Sequence, residues 1–196
     1  MTTKYLPFAI SFVVLLYAGA MYLKDSPSTT ATSKSEPQST KDALFPGFEL
    51  ELLKSAGRPF LKNKSIDLKN VTLSNFTGNF VLVNFWASWC EVCKGEKPYL
   101  RALQLEFYKR KFTVFGIGTA DSRKKIMESD SLEMMTYPVA FDGPGVLMEQ
   151  LNVRALPVSY LLTPEGTVIR RIIGPITESI AAELQQYLDK KTPSAH

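Results

Sequence analysis

One stretch, Phe80-Val81-Leu82-Val83-Asn84-Phe85-Trp86-Ala87-Ser88-Trp89-Cys90-Glu91-Val92-Cys93, constrains the fold more than any other part of the chain. Its first seven residues are β-rich and apolar on both faces, as in a strand buried inside a sheet. The chain's two cysteines follow, three positions apart. From about Glu91 to Lys109 the residues Tyr99, Leu100, Leu103, Leu105 and Phe107 read as helix, interrupted by Gly95 and Pro98, with a kink expected near Pro98. A cysteine pair placed where a buried strand hands over to a helix can interconvert dithiol and disulfide. The first helical turn presents unpaired N–H groups and the positive end of the dipole, which stabilise a thiolate on Cys90. Cys93, one turn later, lies in reach of a mixed disulfide formed at Cys90. Cys90 is therefore read as the attacking nucleophile and Cys93 as the resolving thiol.

The rest of the chain supplies an α/β pattern around that hinge. Phe112 to Gly118 reads as a second strand and Arg123 to Glu133 as a polar helix. The order strand, helix, strand implies a crossover and parallel pairing. Tyr137 to Phe141 leads through Asp142-Gly143-Pro144-Gly145 into a short helix, Val146 to Leu151. Val158 to Leu162 and Thr167 to Ile172, joined by Thr163-Pro164-Glu165-Gly166, read as a hairpin. Thr177 caps a closing amphipathic helix to Leu188, with Ile180, Leu184, Tyr187 and Leu188 on one side. Ser65 to Leu73 alternates weakly and suggests an extra hairpin.

The N-terminus reads as a membrane signal. Tyr5 to Leu23 carries no charge, and as a helix these residues would span about 28 Å, close to a bilayer's hydrocarbon core. Lys4 ahead of the run favours an amino terminus inside and the remainder outside. A cleaved signal peptide ending at Ala18-Gly19-Ala20 is the competing reading, but Met21, Tyr22 and Leu23 carry the apolar run past that site. Residues 1–24 are thus taken as the anchor and 25–43 as a Ser/Thr-rich linker with too little apolar surface to fold. A globular domain over 44–190 and a tail over 191–196 complete the organisation. With 23 basic and 19 acidic residues, a formal net charge of +4, the chain is too mildly basic to argue for nucleic acid.

Three plainer roles compete for the cysteines. A purely structural disulfide would close a loop of four residues and contribute about 2 kcal/mol in the chain-entropy model, less than a long-range staple. A zinc site lacks ligands, because the sole histidine is His196 at the chain's end. Two inert core thiols fit poorly beside Trp86 and Trp89 in an exported chain. No metal and no cofactor is expected.

Phe85-Trp86-Ala87-Ser88-Trp89-Cys90-Glu91-Val92-Cys93-Lys94 resembles the active site of the thioredoxin superfamily. It is more closely similar to the membrane-anchored TlpA and ResA type of thiol-disulfide oxidoreductases, related also to CcmG. Glu96, Pro98-Tyr99, Leu156-Pro157 and the run Leu161-Leu162-Thr163-Pro164-Glu165-Gly166 extend the likeness, which covers about Leu44 to Leu188. The resemblance implies a thioredoxin-like α/β fold, a central mixed sheet flanked by helices, behind the N-terminal membrane helix and flexible linker. It implies that Pro157 is the cis-proline facing the cysteines and that Trp89, Leu156 and Pro157 border the substrate groove. It further implies that Glu96 influences the cysteines' titration and relays protons. A carboxylate there raises thiol pKa by like-charge repulsion. Asn84 stands where thioredoxin has a buried acid, so Glu96 is expected to replace that function. Val92 and Val158-Ser159 depart from the family's usual residues, which bears on substrate choice and potential.

By resemblance, the chain is expected to reduce disulfides in exported proteins, with apocytochrome c the leading client. A membrane thiol donor of the CcdA/DsbD type is expected to re-reduce the pair. An oxidase or isomerase using the same cysteines is the nearest alternative. A peroxidase lacks support, since Trp86-Ala87-Ser88-Trp89 replaces the Thr-x-x-Cys context of peroxiredoxins. A redox-inactive binding module of the same fold is the alternative from a different class.

Overall fold

The computed structural model describes residues 42–56 and 69–192. The expected membrane helix, nearly all of the linker, positions 65–68 of the expected extra hairpin and the end of the tail lie outside these residues. Among the described residues, no helix is long and apolar enough to cross a membrane.

Seven strands among the described residues form one mixed sheet: β1 (Glu49–Lys54), β2 (Asn70–Thr72), β3 (Phe80–Trp86), β4 (Phe112–Thr119), β5 (Val139–Asp142), β6 (Val158–Leu162) and β7 (Val168–Ile173), in the spatial order β2-β1-β5-β4-β3-β6-β7. β3 pairs in parallel with β4, Phe80 opposite Phe112 through Trp86 opposite Gly118, and antiparallel with β6. β4 also pairs in parallel with β5, and β1 closes on β5 antiparallel. The apolar run of β3 feeds both faces. Leu82 and Trp86 enter one core cluster, and Val81, Val83 and Phe85 enter the other. A strand central to a sheet covered on both sides has this composition.

The helices are α1 (Glu91–Phe107), α2 (Arg123–Met127), α3 (Asp130–Met134), α4 (Val146–Gln150) and α5 (Glu178–Lys191). α1 and α5 cover the first face through Leu100, Leu103, Phe107, Ala181, Leu184 and Leu188, while Leu147 of α4 joins the opposite cluster. α1 also grips its neighbouring strand by a polar clamp: Gln104 Oε1 accepts from the Val114 N–H at 2.7 Å and from Thr113 Oγ1 at 3.2 Å.

One helix differs from the sequence-based expectation. The single polar helix over Arg123–Glu133 is two helices, because Ser129 Oγ binds the Ile126 carbonyl at 2.8 Å and caps α3 at the Leu132 N–H. Serine side chains compete with the helical ladder in this way. α1 runs through Gly95 and Pro98 to Phe107, in keeping with the helical segment expected from about Glu91 to Lys109. Asn70–Thr72, within the described part of the expected extra hairpin, pairs with Glu49–Glu51 of β1, an alternating strand with no distinctive apolar run of its own.

Candidate active site

Local backbone chemistry sets the cysteines. Cys90 is the N-cap of α1, and its Sγ accepts from the Cys93 N–H at 3.2 Å. The two sulfurs are joined as a disulfide, S–S 2.02 Å. Cys90 keeps 5% of its surface exposed and Cys93 none, while Glu91 and Val92 between them face solvent. A reagent approaching from solvent therefore meets Cys90 first.

The turn ahead of the cysteines is fastened to the loop after β4. The Ser88 N–H and Oγ both donate to Asp121 Oδ2, at 2.7 and 2.6 Å, and the Trp89 indole donates to the Ala120 carbonyl at 3.0 Å. The Trp89 ring stays 59% exposed beside the disulfide. Asp121→Ala removes the acceptor of both Ser88 bonds and is expected to lower stability by about 1–2 kcal/mol, read by thermal unfolding. Asp121→Asn keeps one acceptor oxygen and is expected to cost less. Equal melting temperatures for wild type and Asp121→Ala would show that the clamp contributes nothing.

The Leu156–Pro157 peptide bond is cis. Because Phe85 pairs with Val158, antiparallel register carries Pro157 to the end of β3, from which the cysteine turn departs. Pro157 is buried, and Leu156 is half-buried against the cluster that contains both cysteines. Cys90, Cys93, Trp89, Leu156 and Pro157 thus gather at the C-terminal end of β3, and Glu96 lies one turn below Cys93 on α1.

Glu96 is not a solvated helix carboxylate. It is 1% exposed and ties three elements together. Its Oε1 accepts from Asn84 Nδ2 of β3 at 2.9 Å, and its Oε2 from the Ile176 N–H of the β7–α5 loop at 2.8 Å. Asn84 also donates to Ser159 Oγ of β6 at 3.1 Å, which gives the Val158-Ser159 departure a structural partner. Burial pushes the Glu96 carboxyl above its usual range, opposed by the Ile176 N–H, the Asn84 amide and the Lys97 charge. Tyr137, fully buried, is pushed up by burial and then by Glu96.

The sequence reading missed Lys97. Its side chain is buried, its ammonium donates to the Cys93 carbonyl at 3.2 Å, and it lies 4.7 Å from the centroid of the Trp86 ring. Burial lowers its pKa to about 8, offset by Glu96 and reinforced by Lys94. The signal was available. Cys93, Glu96, Lys97, Leu100, Leu103, Gln104 and Phe107 make the buried stripe of α1, and a lysine inside an apolar stripe needs a reason to be there.

Among the described residues, no group of His, Cys, Asp and Glu side chains could hold a metal ion.

A disulfide at the N-terminus of a helix after the central strand, opposite a cis-proline, defines a thioredoxin-like thiol-disulfide exchange centre. The chain belongs to the AhpC/TSA family, whose model matches residues 45–171. It is 27% identical over 139 residues to the thiol-disulfide oxidoreductase ResA of Bacillus subtilis (strain 168), covering 71% of this chain and 77% of that one. To ResA of Bacillus thuringiensis subsp. konkukian it is 30% identical over 125 residues, covering 64% and 70%. Among solved structures, the thioredoxin domain of a thiol-disulfide oxidoreductase from Bacteroides vulgatus superposes with a TM-score of 0.61 at 20% identity, covering 76% of this chain and 97% of that one. StoA from Bacillus subtilis does so at 0.54 and 22%, covering 74% and 98%. The protein is an enzyme, a thiol-disulfide oxidoreductase of the ResA type bearing the Cys90–Cys93 pair.

Proposed function

We propose that the protein reduces disulfides in exported proteins on the outer face of a bacterial cytoplasmic membrane, held there by residues 1–24 as a single-pass anchor and by a flexible linker over 25–43. The observation that carries this reading is the asymmetry of the pair, with Cys90 at the solvent edge of the helix N-terminus and Cys93 sealed behind it. The Cys90 thiolate attacks one sulfur of the client disulfide. A Cys90–client bond forms, and the other client sulfur leaves as a thiolate that takes a proton from solvent. Cys93 then gives its proton to the Glu96 carboxylate and attacks Cys90 Sγ. The Cys90–Cys93 bond forms, the Cys90–client bond breaks, and the second client thiolate departs. Two electrons pass from the enzyme dithiol to the client, which is reduced as the enzyme is oxidised. Trp89, Leu156 and Pro157 border the path of the client strand.

The resemblance to ResA-like proteins supports apocytochrome c as the client, because its haem-attachment cysteines must be reduced before ligation. It also supports a membrane thiol donor of the CcdA/DsbD type to restore the dithiol. A carboxylate beside the cysteines favours the reducing direction, since negative charge disfavours the thiolate of the reduced form.

Cys93→Ala in the full chain tests this. The expected result is a stalled mixed disulfide at Cys90 with an exported apocytochrome, cleaved by added thiol. Failure to trap any exported thiol protein would remove the client assignment. A wild-type reduction potential near about −120 mV, that of a strong oxidant, would reverse the direction.

A further inference from the structure

A buried ammonium is an expensive group to place in a small core, and Lys97 is placed against the reacting segment. Its Nζ is bonded to the carbonyl of Cys93 itself, at 3.2 Å, and covers the face of Trp86, the last residue of the strand that leads to the cysteines. Glu96, its neighbour in sequence, is buried with it. The charged groups that act on Lys97 are Glu96 and, across one turn of α1, Lys94. From the packed elements it faces the Trp86 ring of β3, while Tyr137, ahead of β5, feels the charge of Glu96. Asn84 of β3 and the Ile176 N–H bind Glu96 as neutral donors.

The arrangement solves a charge problem. Cys93 must become a thiolate to release the client, yet it has no solvent exposure, and an uncompensated buried anion is strongly disfavoured. Moving the Cys93 proton to Glu96 keeps the count of negative charges at one. The negative charge is on the carboxylate before the transfer and on the sulfur after it. Lys97 acts on Glu96 by its charge and is hydrogen-bonded to the Cys93 backbone carbonyl, so one cation stands beside both residues.

We propose that Lys97 is a positioning residue for the resolving step, its ammonium supplying the counter-charge that lets one negative charge sit on either the Glu96 carboxylate or the Cys93 sulfur inside the core. This rests on the reading that Cys93 resolves and that Glu96 takes its proton. The lowered pKa of Lys97 adds a bound on the effect: the counter-charge is present at neutral pH and fades as pH rises past about 8.

An aromatic disulfide that releases a coloured thiolate, 5,5′-dithiobis(2-nitrobenzoate), separates the two steps on the reduced full chain. The first equivalent is released when Cys90 attacks and the second when Cys93 closes the ring, so the second phase against pH reports deprotonation of Cys93. Lys97→Met keeps length and loses charge. It is expected to move the midpoint of the second phase upward by about one pH unit or more, slowing that phase about tenfold at pH 7. The first phase should change by less than about threefold, because Cys90 relies on the helix N-terminus. Lys97→Arg, which keeps a cation, should restore most of the shift.

An unmoved second phase in a folded Lys97→Met variant, judged by its thermal transition, would overturn the proposal. So would equal shifts in Lys97→Met and Lys97→Arg, which would mark the effect as packing. Glu96→Gln separates this from failure of the underlying reading. If Glu96→Gln leaves the second phase unchanged, Glu96 is not the proton acceptor and the proposal falls with that role. A shift in Glu96→Gln with none in Lys97→Met removes Lys97 alone.

Discussion

Cys90→Ser is expected to abolish disulfide exchange, by on the order of a thousandfold or more, while leaving the fold of the reduced protein intact. The two halves of this expectation come from the same position. As N-cap of α1, residue 90 must offer an acceptor to the Cys93 N–H, and Cys90 Sγ does so at 3.2 Å. A serine hydroxyl is a preferred N-cap and makes that bond at least as well as sulfur. The chemistry does not transfer. The helix end stabilises a thiolate whose ordinary pKa is already near 8.5, and no comparable stabilisation ionises an alcohol at neutral pH. The proper reference for stability is the reduced wild type, since the oxidised form also carries about 2 kcal/mol from the four-residue ring. Stopped-flow reduction of an aromatic disulfide and thermal unfolding under reducing conditions check both halves. Residual exchange within tenfold of wild type would assign the nucleophile elsewhere.

Much of the fold was legible because single segments declare it. Phe80–Trp86 could only be an interior strand, and Phe112–Thr119 and the hairpin β6–β7 carry equally local signals. The sheet order was not legible in the same way. β1 reaches its place through antiparallel pairing with β5, far along the chain, and its alternation of glutamate and leucine does not name that partner. Helix ends failed where one side chain decided them, as Ser129 did between α2 and α3. In the site, the cysteines stood out by spacing and Glu96 through the family resemblance, whereas Asp121, Ser159 and Ile176 act on it from distant parts of the chain. Lys97 was hidden by its type, because a lysine in a helix is ordinarily assumed to reach water.

Glu96→Ala is expected to destabilise the protein by about 3–5 kcal/mol, and Glu96→Gln by less than about 1 kcal/mol. Alanine strands two buried donors at once, Asn84 Nδ2 and the Ile176 N–H, and leaves a void where the carboxylate was. Each orphaned buried donor costs about 1–3 kcal/mol. Glutamine fills the space but brings one acceptor and one donor in place of two acceptors. Its oxygen can keep the Ile176 N–H, which leaves its amide nitrogen facing Asn84. A half-turn of the Asn84 amide resolves the conflict, presenting oxygen to the introduced amide and also to Ser159, whose hydroxyl can donate instead of accept. The two variants therefore separate the shape of the group from its charge. They also carry a pH signature. The folded carboxyl has its pKa raised above the ordinary 4.5, so between 4.5 and the folded value the native state holds a proton that the unfolded state has lost. Wild-type stability should accordingly fall relative to Glu96→Gln as pH rises through that window. Below pH 7 Lys97 is protonated in both states, so the slope belongs to Glu96. Chemical denaturation of both proteins from pH 4 to 7 measures it, and parallel curves would mean that the buried carboxyl titrates like a free one.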